Sequence, residues 1–307
     1  MPADIKKDFT REEVEALIEG LRTETNVVRL VDPMSEMVLD TDGSIIPGAL
    51  CNAVWGHGHR CENCSSLRAL QNEETIYKME FNKDRTFWII SRFLRVEGNP
   101  CILETVADTT DFIIIESTQL ETVGEIIESY NLNVSTDSLT TAFNRNYLED
   151  VFAPSIPFRR ENDLPVHIAI MDLDRFKDIN DTYGHVTGDV ILADVGKFWK
   201  GKLNSRAKNR EQVVVRYGGD EFVAIDCAHS FDEFRFSMAN WYRSMRKSSY
   251  LQDGTEIPFS MSFGFASSTM LDGDWTWDDL FAAADANLYT AKEKRHAEMD
   301  AAKADQQ

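Results

Sequence analysis

Two short stretches in the second half of the chain carry side chains suited to metal and phosphate chemistry. The first is Arg216-Tyr217-Gly218-Gly219-Asp220-Glu221-Phe222. Apolar, β-rich runs flank it, Val213-Val214-Val215 before and Phe222-Val223-Ala224-Ile225 after, so the pattern predicts a hairpin with a primed turn. Gly218 and Gly219 accept positive φ and let a bulky ligand approach the tip. Asp220 and Glu221 suit a hard divalent cation such as Mg2+. Alone, such a stretch is ordinary turn chemistry. The second stretch, Asp172-Leu173-Asp174-Arg175-Phe176-Lys177-Asp178-Ile179-Asn180, running on to Gly184-His185, gives it weight. It follows Val166-His167-Ile168-Ala169-Ile170-Met171, a run that reads as a buried strand. The backbone N–H groups of Arg175, Phe176 and Lys177 suit phosphate oxygens in the manner of an anion nest, and Lys177 adds charge.

A third group of candidate ligands lies far upstream. Cys61 and Cys64 are spaced to face one ion at a helix start, and Cys51 with either His57 or His59 would complete a tetrahedral Zn2+ shell. The same thiols would sense redox state if a helix N-terminus lowers their pKa. The third alternative is a reduced, idle pair with Cys51 in the core. Cys101 and Cys227 fall in predicted strands and read as small core residues.

The elements that must position these groups follow from periodicity. Thr10 to Arg22 reads as an amphipathic helix with Val14, Leu17, Ile18 and Leu21 on one face, capped by Thr10 with Glu13 in the capping-box position. Residues 26–110 read as strands, a helical middle around Cys61 to Gln71, and more strands. Residues 111–136 read as mostly helical: a coiled-coil connector between subunits, or a helix packed on its own domain. Beyond it the pattern gives a capping Asp137 with a helix after it, a strand over 166–172, a long acidic loop, a helix from about Gly188 to Leu203 and the hairpin over 213–226. A helix over Phe231 to Met245, a strand over Ile257 to Ala266 and a last helix from Trp277 to about Ala297 complete it. The order is near β-α-β-β-α-β, a ferredoxin-like α+β core. The boundaries expected are an N-terminal helix over 1–24, a sensor over 25–110, a connector over 111–136, a second domain over 137–298 and a frayed tail over 299–307.

Composition bounds the rest. The 307 residues suffice for two domains, and 43% are hydrophobic. A net charge of −20 argues against a nucleic-acid-binding face and against attachment to anionic lipid. Met1 to Lys6 contains no apolar signal region, and no run approaches bilayer length, so no membrane is expected and the chain reads as cytoplasmic. Five cysteines in that compartment point to thiols or ligands rather than a disulfide framework.

The two acidic stretches together resemble the GGDEF family of diguanylate cyclases, which make cyclic di-GMP from two GTP molecules; the resemblance covers about residues 135–296. Asp137-Ser138-Leu139-Thr140-Thr141-Ala142-Phe143-Asn144-Arg145 resembles the family's entry motif, with Thr141 where glycine is common. Residues 26–110, with the exit Val106-Ala107-Asp108-Thr109-Thr110-Asp111, look like a PAS sensor domain of a cysteine-bearing kind. The resemblance implies a nucleotidyl-cyclase-like fold and a Mg2+-dependent (or Mn2+-dependent) nucleotidyltransferase acting as a homodimer, because the product is two-fold symmetric. Its signal would reach downstream cyclic di-GMP receptors through that product. By resemblance Asp172, the carbonyl of Leu173 and Asp220 bind the metal, Asp220 is the base, and Glu221 is the second acid that joins the shell. Guanine needs a donor for O6 and an acceptor for its N–H groups; Asn180 and Asp189 meet that demand and match the family's guanine contacts. His185 matches a substrate-contacting position, with a structural histidine as the alternative. Ala284-Asp285-Ala286-Asn287-Leu288-Tyr289-Thr290-Ala291-Lys292 resembles the motif whose lysine reaches a terminal phosphate. Where the family has arginine four residues later, this chain has His296, so the expectation is either weaker triphosphate binding or substitution by Arg295, one residue earlier. The family's product-inhibition positions are Asn209 and Gln212 here, with Arg210 out of register, so no tight feedback inhibition is expected. The competing reading is a catalytically degenerate, GTP-binding signalling module that acts through protein contacts. A third is a metal sensor acting through protein contacts alone.

Overall fold

The computed structural model describes residues 6–23, 26–56, 61–82, 84–110, 117–203, 212–245, 250–252 and 255–304. The chain divides into two compact units, one of Met1–Ser135 with Glu149–Ser155 and one of Thr136–Leu148 with Ile156–Gln307. Among the described residues no helix is long and apolar enough to cross a membrane.

The first unit opens with a short strand β1 (Asp8–Phe9) and helix α1 (Arg11–Leu21). The expected capping box forms: Glu13 N–H donates to Thr10 Oγ1 at 3.3 Å and Thr10 N–H to Glu13 Oε2 at 3.0 Å. Val14 and Ile18, one turn apart, are the buried face. Strands β2 (Asn26–Asp32), β3 (Met37–Leu39) and β4 (Ile45–Leu50) precede helix α2 (Ser65–Asn72), and β5 (Thr75–Asn82), β6 (Arg85–Val96) and β7 (Asn99–Asp108) follow it. The sheet order is β1-β6-β7-β2-β3-β4, with β5 also on β6; every pairing is antiparallel except the short parallel β1–β6. Its core joins Val28, Leu30, Leu94, Val96 and Leu103 to the apolar face of α1.

Helix α3 (Ser117–Ser135) packs on this same unit along the edge strand β5. Gly124 sits against the Phe81 ring, so close that a Cβ would lie 2.5 Å from it. Asn131 donates to the Met79 carbonyl at 3.1 Å and accepts from Asn63 at 2.9 Å. The packed-helix alternative therefore describes the stretch from Gly124 to Ser135. Its other side leaves Ile126, Tyr130 and Leu132 exposed.

The second unit is built on a five-stranded sheet of order β14-β9-β11-β10-β8. Its strands are β8 (Phe143–Asn144), β9 (His167–Leu173), β10 (Gln212–Gly218), β11 (Glu221–Asp226) and β14 (Met261–Ser267). A one-turn helix α4 (Arg145–Tyr147) and α5 (Ile156–Glu161) lead into β9. Helices α6 (Phe176–Tyr183) and α7 (His185–Leu203) connect β9 to β10, α8 (Phe231–Met245) connects β11 towards β14, and α9 (Trp277–Ala304) closes the chain. This is the expected β-α-β-β-α-β core. β9 lies between β11 and β14 and is buried at every residue, which explains its central apolar run Ile168-Ala169-Ile170-Met171.

The structure departs from expectation at five places. The acidic loop after Asp172 is in fact α6; its apolar residues Phe176, Ile179 and Tyr183 fall at helical spacing, hidden among polar ones. The predicted strand 257–266 is two strands, because Pro258 has no N–H to continue the ladder: β13 (Thr255–Ile257) pairs with β12 (Tyr250–Gln252), and β14 starts at Met261. Asp137 caps a turn rather than a helix, accepting from Thr140 N–H at 2.8 Å, and the helix begins only after Asn144. Cys227 follows β11 half-buried, whereas Cys101 is buried as expected. Finally, α9 runs on through Ala304; Ala301-Ala302-Lys303-Ala304 are all good helix formers.

Candidate active site

Strand pairing brings the two acidic stretches together. Asp172, near the end of β9, stands opposite Glu221 on β11 and Ser262 on β14. Cross-strand partners share one face of a sheet. Asp220 occupies the tip immediately before Glu221. Asp172 is 7% exposed. Its carboxyl is pushed up to about 6, first by burial and then by the charges of Asp220 and Glu221, while Lys292 pulls the other way. Lys292 Nζ lies 2.8 Å from Asp172 Oδ2.

The approach of α9 to the sheet is what delivers Lys292. Ala284 and Leu288 are buried, and their backbone lies directly over Gly264 of β14. A Cβ at Gly264 would stand 2.1 Å from the Ala284 carbonyl oxygen and 2.3 Å from the Leu288 nitrogen. Lys292 is one turn beyond Leu288 on the same side of the helix. Asn287 reinforces the contact by donating to the Phe265 carbonyl at 2.9 Å.

Asp174, two residues after Asp172, is also buried, and it is fully engaged. Ser262 Oγ donates to it at 2.6 Å, Ser260 Oγ donates to its other oxygen, and its own N–H donates to the Ser260 carbonyl at 2.8 Å. Arg295 Nε lies 3.8 Å from Asp174 Oδ2. The side chain of His296 lies outside the described residues.

The hairpin tip is a two-residue turn of Gly219 and Asp220, with Gly218 paired to Glu221. Gly219 has φ +54°, and Asp220 stays out of the left-handed region. That sign pattern belongs to the II′ member of the primed turns. A Cβ at Gly218 or Gly219 would meet nothing within 4 Å, so the space above the tip is open. Arg216 holds the tip from below. Its Nε and Nη2 donate to the Gly219 carbonyl at 3.0 and 2.8 Å, and its Nη1 lies 3.1 Å from both oxygens of Asp137. Sequence reasoning missed this clamp; the available signal was a charged residue inside an apolar strand, next to the glycines. Asp137 is held below the ordinary carboxylate range, chiefly against burial, by Thr140 and Arg216.

The helical turn after Asp174 arranges the remaining candidates. Arg175 adopts φ +53° and precedes the first residues of α6, Phe176 and Lys177. Asn180, further along α6, lies against Gly188 of α7. His185 opens α7, and both it and Asp189 are exposed. Thr187 Oγ1 ties the two helices by donating to the Tyr183 carbonyl at 2.8 Å. Thr141, where the related motif has glycine, has φ +57°, a strained conformation for a β-branched residue.

Of the three readings of the cysteine cluster, the reduced, idle one fits the described residues best. Burial, with contributions from the other thiols, pushes Cys51 up strongly and Cys61 to about 12, the opposite of an activated thiol. Cys64 caps α2, its Sγ accepting from Leu67 N–H at 3.4 Å. Among the described residues no three histidine, cysteine or acidic side chains form a ready metal cage, so neither Cys51, Cys61 and Cys64 nor Asp172, Asp220 and Glu221 make one by themselves. His57 and His59 lie outside the described residues, as do Asn209 and Arg210. Gln212, the remaining product-inhibition position, is buried and hydrogen-bonded to Asp226 and, at 3.3 Å, to His229 Nδ1.

A family model described as "Diguanylate cyclase, GGDEF domain" matches residues 134–298. Diguanylate cyclase DosC of Escherichia coli (strain K12) is 29% identical over 275 residues, covering 86% of this chain and 55% of that protein. The chain thus spans about half the length of this relative. Cyclic di-GMP phosphodiesterase PdeR of the same strain is 31% identical over 182 residues, or 59% of this chain and 26% of PdeR. Among solved structures, the coiled coil and GGDEF domain of DgcB from Caulobacter crescentus, in complex with c-di-GMP, superposes with a TM-score of 0.50. At 23% identity over 58% of this chain and 91% of that one, the likeness is one of fold.

Proposed function

This chain belongs to the GGDEF family of diguanylate cyclases, and on that premise we propose that it condenses two GTP molecules into cyclic di-GMP and two pyrophosphates. The observation that carries the proposal is the crowding of Asp220 and Glu221 around the buried Asp172, whose carboxyl is pushed up to about 6. That surplus of negative charge fits a hard divalent cation, Mg2+ or Mn2+. Mg2+ is normally held by one or two carboxylates and the substrate's phosphates rather than by a complete protein cage. Asp172, the Leu173 carbonyl, Asp220 and Glu221 would hold it, and when bound it neutralises charge on the phosphates.

The chain's own residues supply the remainder. The carboxylate of Asp220 takes the proton of the attacking 3′-hydroxyl, from a tip kept in place by Arg216. Phosphate oxygens meet the N–H groups of Arg175, Phe176 and Lys177 where α6 begins. Lys292 and Arg295, held near Asp172 and Asp174, bring cationic charge to the terminal phosphates. Asn180 and Asp189 read the guanine edge, and His185 joins them from the start of α7. Among the described residues nothing lies within 4 Å of a Cβ placed at Gly218, which leaves room for close approach of the nucleotide.

Each domain holds one GTP, so the active form is a homodimer in which two sites face each other across a two-fold axis. The N-terminal unit regulates that encounter. The antiparallel order β3-β2-β7-β6-β5, with helix α2 inserted between β4 and β5, supports reading it as a PAS-like sensor. Zn2+ in this unit would require a ligand beyond Cys51, Cys61 and Cys64, and His57 and His59 are the candidates. The site of action is the cytoplasm, where GTP and the receptors for the product reside.

The test is incubation of the purified protein with GTP and Mg2+, with chromatographic detection of cyclic di-GMP and Asp220→Ala alongside. Product from the unsubstituted protein alone supports the proposal. GTP binding without product in a verified dimer favours the degenerate signalling module instead. Asp189→Ala should lose the preference for GTP over ATP, and an unchanged preference removes Asp189 from the guanine site.

A further inference from the structure

Gly188 of α7 lies directly against α6. A Cβ there would stand 1.9 Å from Asn180 Oδ1, 3.0 Å from Asn180 Cγ and 3.0 Å from Phe176 Cζ. Phe176 and Asn180 are four residues apart on α6, so they share the face turned to α7. Gly188 has no left-handed φ, so its own backbone does not call for glycine. Glycine is also the weakest helix former after proline. What its missing side chain provides is room for the Asn180 amide to rest on the α7 backbone, one residue before Asp189.

We infer that Gly188 is a specificity-positioning residue: it lets Asn180 lie against α7, so that the amide of Asn180 and the carboxylate of Asp189 are presented together to a guanine base. The inference rests on reading those two side chains as the guanine contacts. The nature of the clash makes it testable. The atom in the way is the far end of a flexible side chain, and the Phe176 ring needs to yield only a few tenths of an ångström. Gly188→Ala should therefore spare the fold and turn the Asn180 amide away. Gly201, in the same helix, has nothing within 4 Å of its Cβ position and serves as the control.

The experiment is calorimetric titration of the full chain with non-hydrolysable GTP and ATP analogues. The proteins are the unsubstituted chain, Gly188→Ala, Asn180→Ala, the double variant and Gly201→Ala, with melting temperatures recorded. Gly188→Ala should bind the GTP analogue about ten-fold or more weakly, the scale of one lost base-reading contact. ATP-analogue affinity should not change, so discrimination falls while the melting temperature holds. The double variant should bind no more weakly than Asn180→Ala, because the two substitutions remove one interaction. Gly201→Ala should behave as the unsubstituted chain.

Wild-type GTP affinity in Gly188→Ala overturns the inference. So do multiplying effects in the double variant, or an unsubstituted chain that does not prefer the guanine nucleotide. If Gly188→Ala fails to fold, the double variant, which lacks the obstructing amide, must fold; failure there also overturns it. If the binding series behaves as expected and the protein makes no cyclic di-GMP, the positioning role stands and the cyclase proposal falls.

Discussion

Replacing Gly264 by alanine should loosen the fold and misplace Lys292 together. The new methyl would stand 2.1 Å from the Ala284 carbonyl oxygen, 2.3 Å from the Leu288 nitrogen and 2.6 Å from Leu288 Cβ. Ordinary contact begins near 3.4 Å, so the overlap exceeds an ångström. Two of the three obstructing atoms are backbone atoms of a buried helical segment and cannot swing aside. Either α9 lifts from the sheet or β14 sinks into the layer behind it, where Phe263 and Phe265 pack against the main core. Overpacking of this kind costs about 1–3 kcal/mol. In a unit of this size that lowers the melting temperature by about 3–10 °C. Lys292 follows Leu288 by one turn, so lifting α9 draws Nζ away from its position 2.8 Å from Asp172. A misplacement of about 1 Å near a reacting group can cost about 100-fold in rate. The assay pairs thermal unfolding with the rate of cyclic di-GMP formation, with Gly201→Ala as the reference glycine substitution. A Gly264→Ala protein with unchanged melting temperature and turnover would refute the packing argument. A lower melting temperature with full turnover would refute only the link from α9 to Lys292.

Three other outcomes follow from local geometry. Thr141→Gly should raise stability by about 1 kcal/mol, because the strain of a left-handed β-branched residue outweighs the extra freedom glycine gives the unfolded chain; a lower urea midpoint would show that the turn is unstrained. In metal-free buffer Asp172 should destabilise the protein as pH rises: its folded pKa of about 6 lies above its ordinary 3.8, so the folded state holds the extra proton between those values and loses that advantage above them. Asp172→Asn should therefore gain up to about 3 kcal/mol at pH 8 and little at pH 4, while abolishing turnover; an equal effect at both pH values in urea titrations would refute the sign. Submicromolar cyclic di-GMP should not inhibit turnover through the product site, since Gln212 is buried on Asp226 and His229; submicromolar inhibition abolished by Arg210→Ala would overturn this.

Local rules carried the sequence reading far in some places and failed in others for identifiable reasons. The α1 capping box depends on four consecutive residues and forms as expected. The hairpin and the buried strand before Asp172 depend on short-range apolar patterning, and the pairing of their acidic ends follows from the strand order. Partnerships between distant residues were not legible. A charge inside an apolar strand marks Arg216 as unusual, but it does not name its partners, the Gly219 carbonyl and Asp137, 79 residues away. Nothing near Gly188 or Gly264 says whether a glycine serves a turn or a close approach, since that depends on which helix lies above it. Helix α6 was obscured because its exposed side is almost wholly polar and only Ile179 is deeply buried. The thiols stayed undecided between metal, redox and idle readings for a related reason: their spacing suits all three, but burial, which spacing does not reveal, pushes Cys61 to about 12.

Asp172 and Asp174 show how identical side chains two residues apart come to do different work. Asp172 lies near the end of the buried strand β9 and Asp174 immediately after it, and both are nearly inaccessible. A buried carboxylate is tolerable only if its lone pairs and charge are answered. Asp174 is answered by the hydroxyls of Ser260 and Ser262, with Arg295 nearby and its own N–H tied to β14's approach. It anchors the segment that turns into α6. Asp172 faces Glu221 across the ladder, has Asp220 beside it, and is met by Lys292. The register decides this difference, because it is set by which residues of β11 and β14 fall opposite. An acid left under-compensated by its neighbours favours any added positive charge. That demand, rather than the acidity of the motif as such, is what suits the end of β9 to the metal-bound triphosphate we propose for it.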